Sequence, residues 1–184
     1  MGKAVTADRQ LTARQEQALR QLADLQRLFV RREVGAAWVV VSVCTTLEDA
    51  VSRELEELVG VRSTLSESKL EKHLVGDFKK ELNKSWYSRR RALGRAFDVC
   101  MDAPDERRLD HLIELRNAIA HGGLSFTARQ MDDYKAFLVL RQGLEDDFGV
   151  HVSGVHFQLT EATGRNALRV ARAAVHGLLG AGID

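Results

Sequence analysis

The sequence predicts an all-α fold with one short irregular or β-like excursion near 149–160. The chain of 184 residues has a single proline and is rich in Ala, Leu, Arg and Glu, a composition that favours helices. Apolar residues recur at spacings of three and four along most of the chain, as in amphipathic helices. Near 149–160, valines alternate with polar residues between glycines, which predicts a loop or a short hairpin. At this length we expect one helical domain, 1–184.

The first third of the chain is predicted to form two helices. Residues 8–31 carry leucines at helical spacing with Arg and Gln between them, which indicates a first amphipathic helix. The valine-rich stretch 36–44 would suit a strand if it stood alone. It runs without a break into leucines and valines at helical spacing, however. We therefore predict one long helix over 36–59 and a connection at 60–64.

The remaining helices are predicted from apolar spacing and from the residues that start them. A helix over 66–83 follows the first two. Pro104 and the two acids after it suit the first turn of another helix. Thr127 with Gln130 makes a capping-box pattern, so a further helix is expected to begin there and to continue through Leu144. The last predicted helix covers 161–179.

Composition narrows the classes of function. The formal net charge is +1, so a nucleic-acid site would have to be a local patch. The sequence has neither an apolar signal region at its start nor a run of 18 apolar residues, so we expect a soluble cytoplasmic protein with no membrane contact. Cys44 and Cys100 lie in apolar helical context and are expected to be buried thiols. The histidines show no ligand spacing, and no Gly-rich phosphate loop or serine-hydrolase elbow occurs, so we expect no metal and no cofactor.

The most specific stretch is 115–123, at the end of the helix that begins near Pro104. Arg116 falls where the apolar stripe of that helix should continue, and a guanidinium there needs an anion or a wet cleft. Asn117 and His121 are four residues apart and share one face. Arg116 and His121 are separated by about 140° around the helix and about 7.5 Å along it. The alternative is a plain helix end, with His121 capping carbonyls and Arg116 in a structural ion pair.

The pattern Arg116-Asn117-x-x-x-His121 resembles the R-x4-6-H motif of the HEPN superfamily. The resemblance implies a small HEPN-like helical bundle and a metal-independent endoribonuclease. It also implies a homodimer, since the motif typically lies at a dimer cleft in that superfamily. Many of its members are toxins or defence effectors, including antiviral ones, and their cognate antitoxin is commonly a nucleotidyltransferase. Other members are catalytically silent modules that bind RNA or a partner protein. A third possibility is a helical interaction domain with a chance motif.

The three motif residues suit RNA cleavage chemically, because RNA carries its own nucleophile, the 2′-hydroxyl. An imidazole such as that of His121 can act as general base or acid near neutral pH. Arg116 can bind phosphate oxygens in a fork and favour the charge of the transition state. Asn117 can orient either the imidazole or the phosphate by hydrogen bonds. Such a reaction leaves a 2′,3′-cyclic phosphate and requires no metal.

Two further features are candidates for the site. Glu48 and Asp49 directly follow the apolar half of the second predicted helix. Glu48 is a candidate supporting acid that pairs with Arg116. The alternative is that both acids face water, and this interpretation is favoured for Asp49. A basic segment beside Trp86 and Tyr87 is the best candidate for phosphate binding and base stacking. The alternative is an exposed helix face whose aromatic residues pack inward. The basic residues proposed to bind RNA are Lys84, Arg89, Arg90, Arg91 and Arg95.

Overall fold

A computed structural model describes residues 12–64, 76 and 85–179 of the protein. Within these residues the chain forms seven helices and one antiparallel pair of short strands, which confirms the predicted all-α fold with a small β excursion. The predicted helix over 66–83 lies outside the described residues apart from Gly76. No helix in the described part combines the length and the apolar character needed to cross a membrane.

The elements follow one another in a simple order along the chain. They are α1 (Ala13–Val30), α2 (Ala36–Thr64), α3 (Trp86–Phe97), α4 (Ala103–Gly122), α5 (Ala128–Met131), α6 (Tyr134–Phe148), β1 (His151–Ser153), β2 (His156–Gln158) and α7 (Glu161–Leu178).

Helices α2 and α7 form the centre of the fold, and each of them packs against both α1 and α4. The buried side chains form one apolar cluster. Helix α4 contributes residues spaced by three along one face, namely Leu109, Leu112, Leu115 and Ala118, all with no exposed surface. Burying each of these leucines contributes about 1.5–3 kcal/mol. This packing fixes how α4 is turned about its axis, and so where Arg116 and Asn117 lie.

Local capping decides where several helices begin and end. Thr12 and Gln15 form a capping box, so α1 begins at Ala13, and the predicted start at residue 8 lies outside the described residues. Asp102 accepts a hydrogen bond from the backbone N–H of Asp105 at 3.0 Å and starts α4. Gly123 ends α4 in the left-handed region with φ 56°, as the two consecutive glycines predicted.

Two predicted boundaries differ from the structure. Helix α2 continues through the predicted connection at 60–64. A single glycine in a helix costs only about 1 kcal/mol, and the burial of Leu58 and Val59 just before it offsets that cost. The helix predicted to run on from Thr127 is divided into α5 and α6. The carboxylate of Asp133 caps α6 by accepting hydrogen bonds from two backbone N–H groups at 2.9 and 3.0 Å.

The two cysteines differ in environment, and the prediction that both are buried is wrong for Cys100. Both thiols are free, with Cys44 buried and Cys100 exposed. Helix α3 ends at Asp98 in the left-handed region, and the N–H of Val99 then donates to Leu93 O at 3.2 Å. This reversal buries Val99 and leaves the next residue, Cys100, on the surface.

The β excursion is a hairpin that packs beside the end of α4. Strands β1 and β2 are antiparallel, with Val152 opposite Phe157. The buried ring of Phe157 lies 5.5 Å from the ring of Phe126. The N–H of Phe157 donates to Leu124 O at 3.0 Å, although Leu124 has φ 69°. The hairpin therefore holds the segment that follows α4 in a conformation rare for a non-glycine residue.

Candidate active site

The three motif residues line one open cleft of about 720 Å³. Its walls come from α2, α3 and α4 and from the start of α5. The residues that matter most for its chemistry are Glu48, Trp86, Arg90, Arg116, Asn117 and His121. On α4, Arg116 lies within the apolar stripe at its cleft end, whereas Asn117 and His121 share another face, and all three residues line this cleft.

Arg116 is half-buried. Its Nη1 donates to Asn117 Oδ1 at 3.2 Å, and its Nε is buried without a hydrogen-bond partner. A buried donor left unsatisfied costs about 1–3 kcal/mol. Within residues 12–64 and 85–179, Arg116 makes no ion pair, so the alternative of a structural ion pair is not observed there. A charged donor at this position is available to a ligand.

His121 and Asn117 have different surroundings. Asn117 is half-buried and pairs with Arg116, whereas His121 lies exposed in the last turn of α4. Among the described residues, His121 has no hydrogen-bond partner. The alternative of an imidazole that caps helix carbonyls is therefore not observed in this part of the chain. The imidazole is open to solvent at the rim of the cleft.

Glu48 lines the same cleft as Arg116, but the predicted direct pair is not seen. No ion pair joins the two side chains in the part of the chain that the structure describes. Asp49 is exposed and lies 3.0 Å from Arg53 Nε, as expected for an acid that faces water. Glu48 thus remains a cleft carboxylate without a direct partner in this region.

Cys44 lies beneath this part of the cleft. The pKa of its thiol is raised to about 12, mainly by burial and also by the nearby carboxylate of Glu48, while the charge of Arg116 lowers it in part. Since the thiol senses both charges, Glu48 and Arg116 lie on the same side of the core. The Cys44 thiol also contacts Leu112 O at 3.9 Å.

The basic segment is divided between buried and exposed positions. Lys84 lies outside the described residues. The side chain of Arg90 is only 15% exposed and pairs with two acids of α4, Glu106 at 3.3 Å and Asp110. Arg91 and Arg95 are exposed, and Arg89 is half-buried. The charge of Arg90, which lines the cleft, is therefore neutralised by acids of α4, whereas the exposed arginines remain candidates for phosphate contacts.

The two aromatic residues of α3 point in different directions. Trp86 is 9% exposed and packs inward, as the alternative interpretation expected. Its Nε1 is buried without a hydrogen-bond partner. Tyr87 is 62% exposed and also lines the cleft. Tyr87 is therefore the aromatic ring available for stacking on a base.

A further arginine in the cleft was not predicted from the sequence. Arg129 of α5 lines the cleft and donates to both oxygens of Glu114 at 2.8 and 2.6 Å. This hydrogen bond and the charge of Glu114 raise the pKa of Arg129. Gln130 also donates to Glu114, at 2.7 Å. The only sequence signal was the capping box at Thr127, which positions α5 but does not show which helix it faces.

Neither a metal-binding cluster in the described part of the chain nor a similar known protein indicates what the cleft does. Within the described residues, no group of three or more His, Cys, Asp or Glu is placed to hold a metal ion. No protein-family model, curated protein or solved structure matches the chain at a significant level.

Proposed function

We propose that the protein is a metal-independent endoribonuclease of the HEPN type. The observation that supports this most directly is the arrangement of Arg116, Asn117 and His121 along one open cleft of about 720 Å³. A cleft of this volume is large enough for a nucleotide unit. Arg116 offers a buried, unpartnered Nε and His121 offers a solvent-exposed imidazole. These are an anion binder and a proton carrier in one site.

The proposed reaction needs only the groups of the RNA and of this site. The 2′-oxygen attacks the adjacent phosphorus, and the bond from phosphorus to the 5′-oxygen breaks. The proton of the 2′-hydroxyl passes to a base, and an acid gives a proton to the leaving 5′-oxygen. Arg116 stabilises the charge on the phosphate oxygens in the transition state. The products are a 2′,3′-cyclic phosphate and a 5′-hydroxyl.

Within residues 12–64 and 85–179, one chain supplies a single imidazole to the cleft, whereas the reaction uses both a base and an acid. We propose that a homodimer supplies the second His121. The position of His121 at the exposed rim supports this, because a rim residue is accessible to a second copy. The resemblance to HEPN ribonucleases supports the same arrangement.

The biological role follows from the resemblance. We propose a toxin or antiviral defence effector that acts on RNA in the cytoplasm, with a cognate antitoxin such as a nucleotidyltransferase as its partner. The exposed Arg91 and Arg95, together with Arg89 and Tyr87, are proposed to contact the RNA beyond the cleft.

The second candidate is a catalytically silent HEPN module that binds RNA or a partner protein. The observation that favours it is the lack of an orienting partner for His121 among the described residues. A general base is usually held by a second group. The pairing of Asn117 with Arg116 leaves the imidazole without that support in a single chain.

The test is an RNA cleavage assay in EDTA with end-group analysis. Wild type is compared with Arg116→Ala and His121→Ala on transfer RNA and total RNA. Matched controls are Arg107→Ala, an exposed arginine of the same helix, and His176→Ala, an exposed histidine of α7. We expect cleavage by wild type and both controls, cyclic phosphate ends, and at least about a 100-fold loss in the two site variants.

Other outcomes separate the alternatives. If no protein cleaves RNA but wild type binds it, the silent module is correct. If wild type neither cleaves nor binds RNA, the motif is a chance pattern in a helical interaction domain. Cleavage that is the same in wild type and both site variants contradicts the assignment of Arg116 and His121.

A further inference from the structure

A small recess lies at the base of the cleft and shares four lining residues with it. Its volume is about 10 Å³, which is room for about one water-sized group. Apolar side chains of the core close most of it. The polar residues that line it are Glu48, Trp86 and Arg116, and all three also line the cleft.

Two of the residues that line this recess each carry a buried nitrogen atom without a hydrogen-bond partner. They are Nε1 of Trp86 and Nε of Arg116, and no other buried side-chain N or O atom of the described residues lacks a hydrogen bond. Buried polar groups of folded proteins are paired in the large majority of cases. That both exceptions belong to residues lining one recess, one of them the motif residue Arg116, points to a group with an acceptor atom as its occupant.

Glu48 determines which group fits. Its carboxylate lines the recess and has no side-chain partner among the described residues. The adjacent thiol of Cys44 senses both this carboxylate and the guanidinium of Arg116. An anion would be repelled by Glu48, and a cation by Arg116. The N–H groups of Trp86 and Arg116 are donors, and the carboxylate of Glu48 is an acceptor. A small neutral group that both accepts and donates hydrogen bonds, such as a hydroxyl, therefore fits best.

We propose that this recess binds one ribose 2′-hydroxyl of the RNA and so distinguishes RNA from DNA. The hydroxyl oxygen accepts from Trp86 Nε1 and Arg116 Nε, and its hydrogen points to the carboxylate of Glu48. The contact is one of recognition, and no bond forms or breaks in it. It rests on the proposed function, and it gives Trp86 and Glu48 a role in specificity, because the 2′-hydroxyl is the group that DNA lacks.

The experiment measures binding to RNA and to DNA without cleavage. The full chain carrying His121→Ala is titrated with labelled RNA and DNA of the same sequence, and with RNAs that carry one 2′-deoxy substitution at each position in turn. We expect RNA to bind more tightly than DNA, and one deoxy position to weaken binding about 10-fold, since a lost hydrogen bond of about 1.4 kcal/mol corresponds to that factor.

Adding Trp86→Phe removes the N–H and keeps an aromatic ring. We expect RNA binding to weaken about 10-fold and DNA binding to stay the same. The sensitive deoxy substitution should then have almost no further effect, because the two changes remove the same interaction. Trp38→Phe is the matched control, since Trp38 is 46% exposed and does not line the cleft. It should leave the ratio of RNA to DNA affinity unchanged.

Three outcomes overturn the proposal. One is a Trp86→Phe variant that loses RNA and DNA affinity equally, as expected if the recess holds a water only. Another is a deoxy scan in which no position matters by more than about twofold. The deoxy scan uses a protein with an unchanged Trp86, so it tests the proposal even if Trp86→Phe does not fold. Glu48→Gln supplies a second variant of the recess. In the third, no RNA is bound or cleaved, which removes the proposed function as well. If wild type cleaves RNA and either of the first two outcomes is found, the recess proposal is wrong and the proposed function stands.

Discussion

Arg116 and His121 belong to the same helix and the same cleft, but their surroundings differ. Arg116 is half-buried, with its Nη1 on Asn117 at 3.2 Å and its Nε enclosed beside the recess. His121 is exposed in the last helical turn and has no partner in the described part of the chain. The residues that follow it, Gly123 and Leu124, both lie in the left-handed region.

This difference indicates that a single chain fixes the orientation of Arg116 but not that of His121. The core packing of α4 orients Arg116, so its position is set before any ligand binds. The imidazole of His121 is exposed in the last turn of α4 and has no hydrogen bond to hold it within the described residues. In the proposed ribonuclease, RNA or a second copy of the chain would orient His121. Substitutions of the two residues should therefore have similar effects on cleavage and different effects on stability.

The largest expected effects come from Arg116→Leu and His121→Ala. Each should lower RNA cleavage by at least about 100-fold, since each removes a transition-state interaction. Arg116→Leu should also raise the free energy of unfolding by about 1 kcal/mol, because it removes an unsatisfied buried donor and extends the apolar stripe. His121→Ala should change stability by less than about 0.5 kcal/mol. Cleavage assays and urea unfolding measure the two quantities.

Two stability results would contradict this difference between Arg116 and His121. A loss of more than about 1 kcal/mol in Arg116→Leu would show that Arg116 is paired in solution, with Glu48 as the nearest candidate. A similar loss in His121→Ala would show that the imidazole is held by the chain itself. Either result would remove the proposed difference between Arg116 and His121.

A smaller effect is expected on the far side of α4, where His111 packs against α6. A Cβ added at Gly143 would lie 2.1 Å from His111 Cε1. Gly143→Ala should therefore lower the free energy of unfolding by about 1–3 kcal/mol through overpacking. The matched control is Gly60→Ala, where a Cβ meets nothing within 4 Å and where alanine favours the helix by up to about 1 kcal/mol. Urea unfolding curves of both variants measure the difference.

Equal free energies of unfolding for Gly143→Ala and Gly60→Ala would contradict this prediction. His111 Nδ1 lies 2.7 Å from Asp147 Oδ2, so the ring is held from two sides and cannot move without losing that bond. If Gly143→Ala is as stable as wild type, the ring has room to move, and the orientation of α4 is less fixed than its packing indicates.

Features that depend on neighbouring residues were predictable from the sequence. Helix α4 begins at Asp102 and ends at Gly123 because capping needs only residues within one turn. That Asn117 and His121 share one face, and that Arg116 interrupts the apolar stripe, follows from helix geometry alone. The hairpin near 149–160 was also predictable from its alternation. In each case the interacting residues are close in sequence.

Features that depend on distant residues were not predictable. The neutralisation of Arg90 by Glu106 and Asp110 requires α3 to lie against α4. The recess exists only because Trp86 of α3 meets α2 and α4 behind Arg116. The sequence showed an aromatic beside arginines, a pattern that fits an exposed stacking platform equally well. Periodicity shows which side of a helix is apolar, but it does not show which other helix covers it.

The smallest expected effect concerns Cys44, which lies behind Arg116. Its pKa is raised from 9.0 to about 12, mainly by burial. Between these two values the unfolded chain loses the thiol proton and the folded chain keeps it. The contribution of Cys44 to stability is therefore complete below about pH 9 and is lost as the pH rises. From pH 9 to 10 the free energy of unfolding should fall by about 1 kcal/mol, as measured by urea unfolding at each pH.

The two thiols provide the control for this measurement. Cys44→Ala should remove the fall between pH 9 and 10, whereas Cys100→Ala should keep it, because Cys100 is exposed. If all three proteins lose the same free energy, other groups cause the fall and Cys44 is reached by water. That result would contradict the sealed core behind Arg116, and with it the argument that packing in one chain fixes Arg116 while His121 depends on a ligand or a partner.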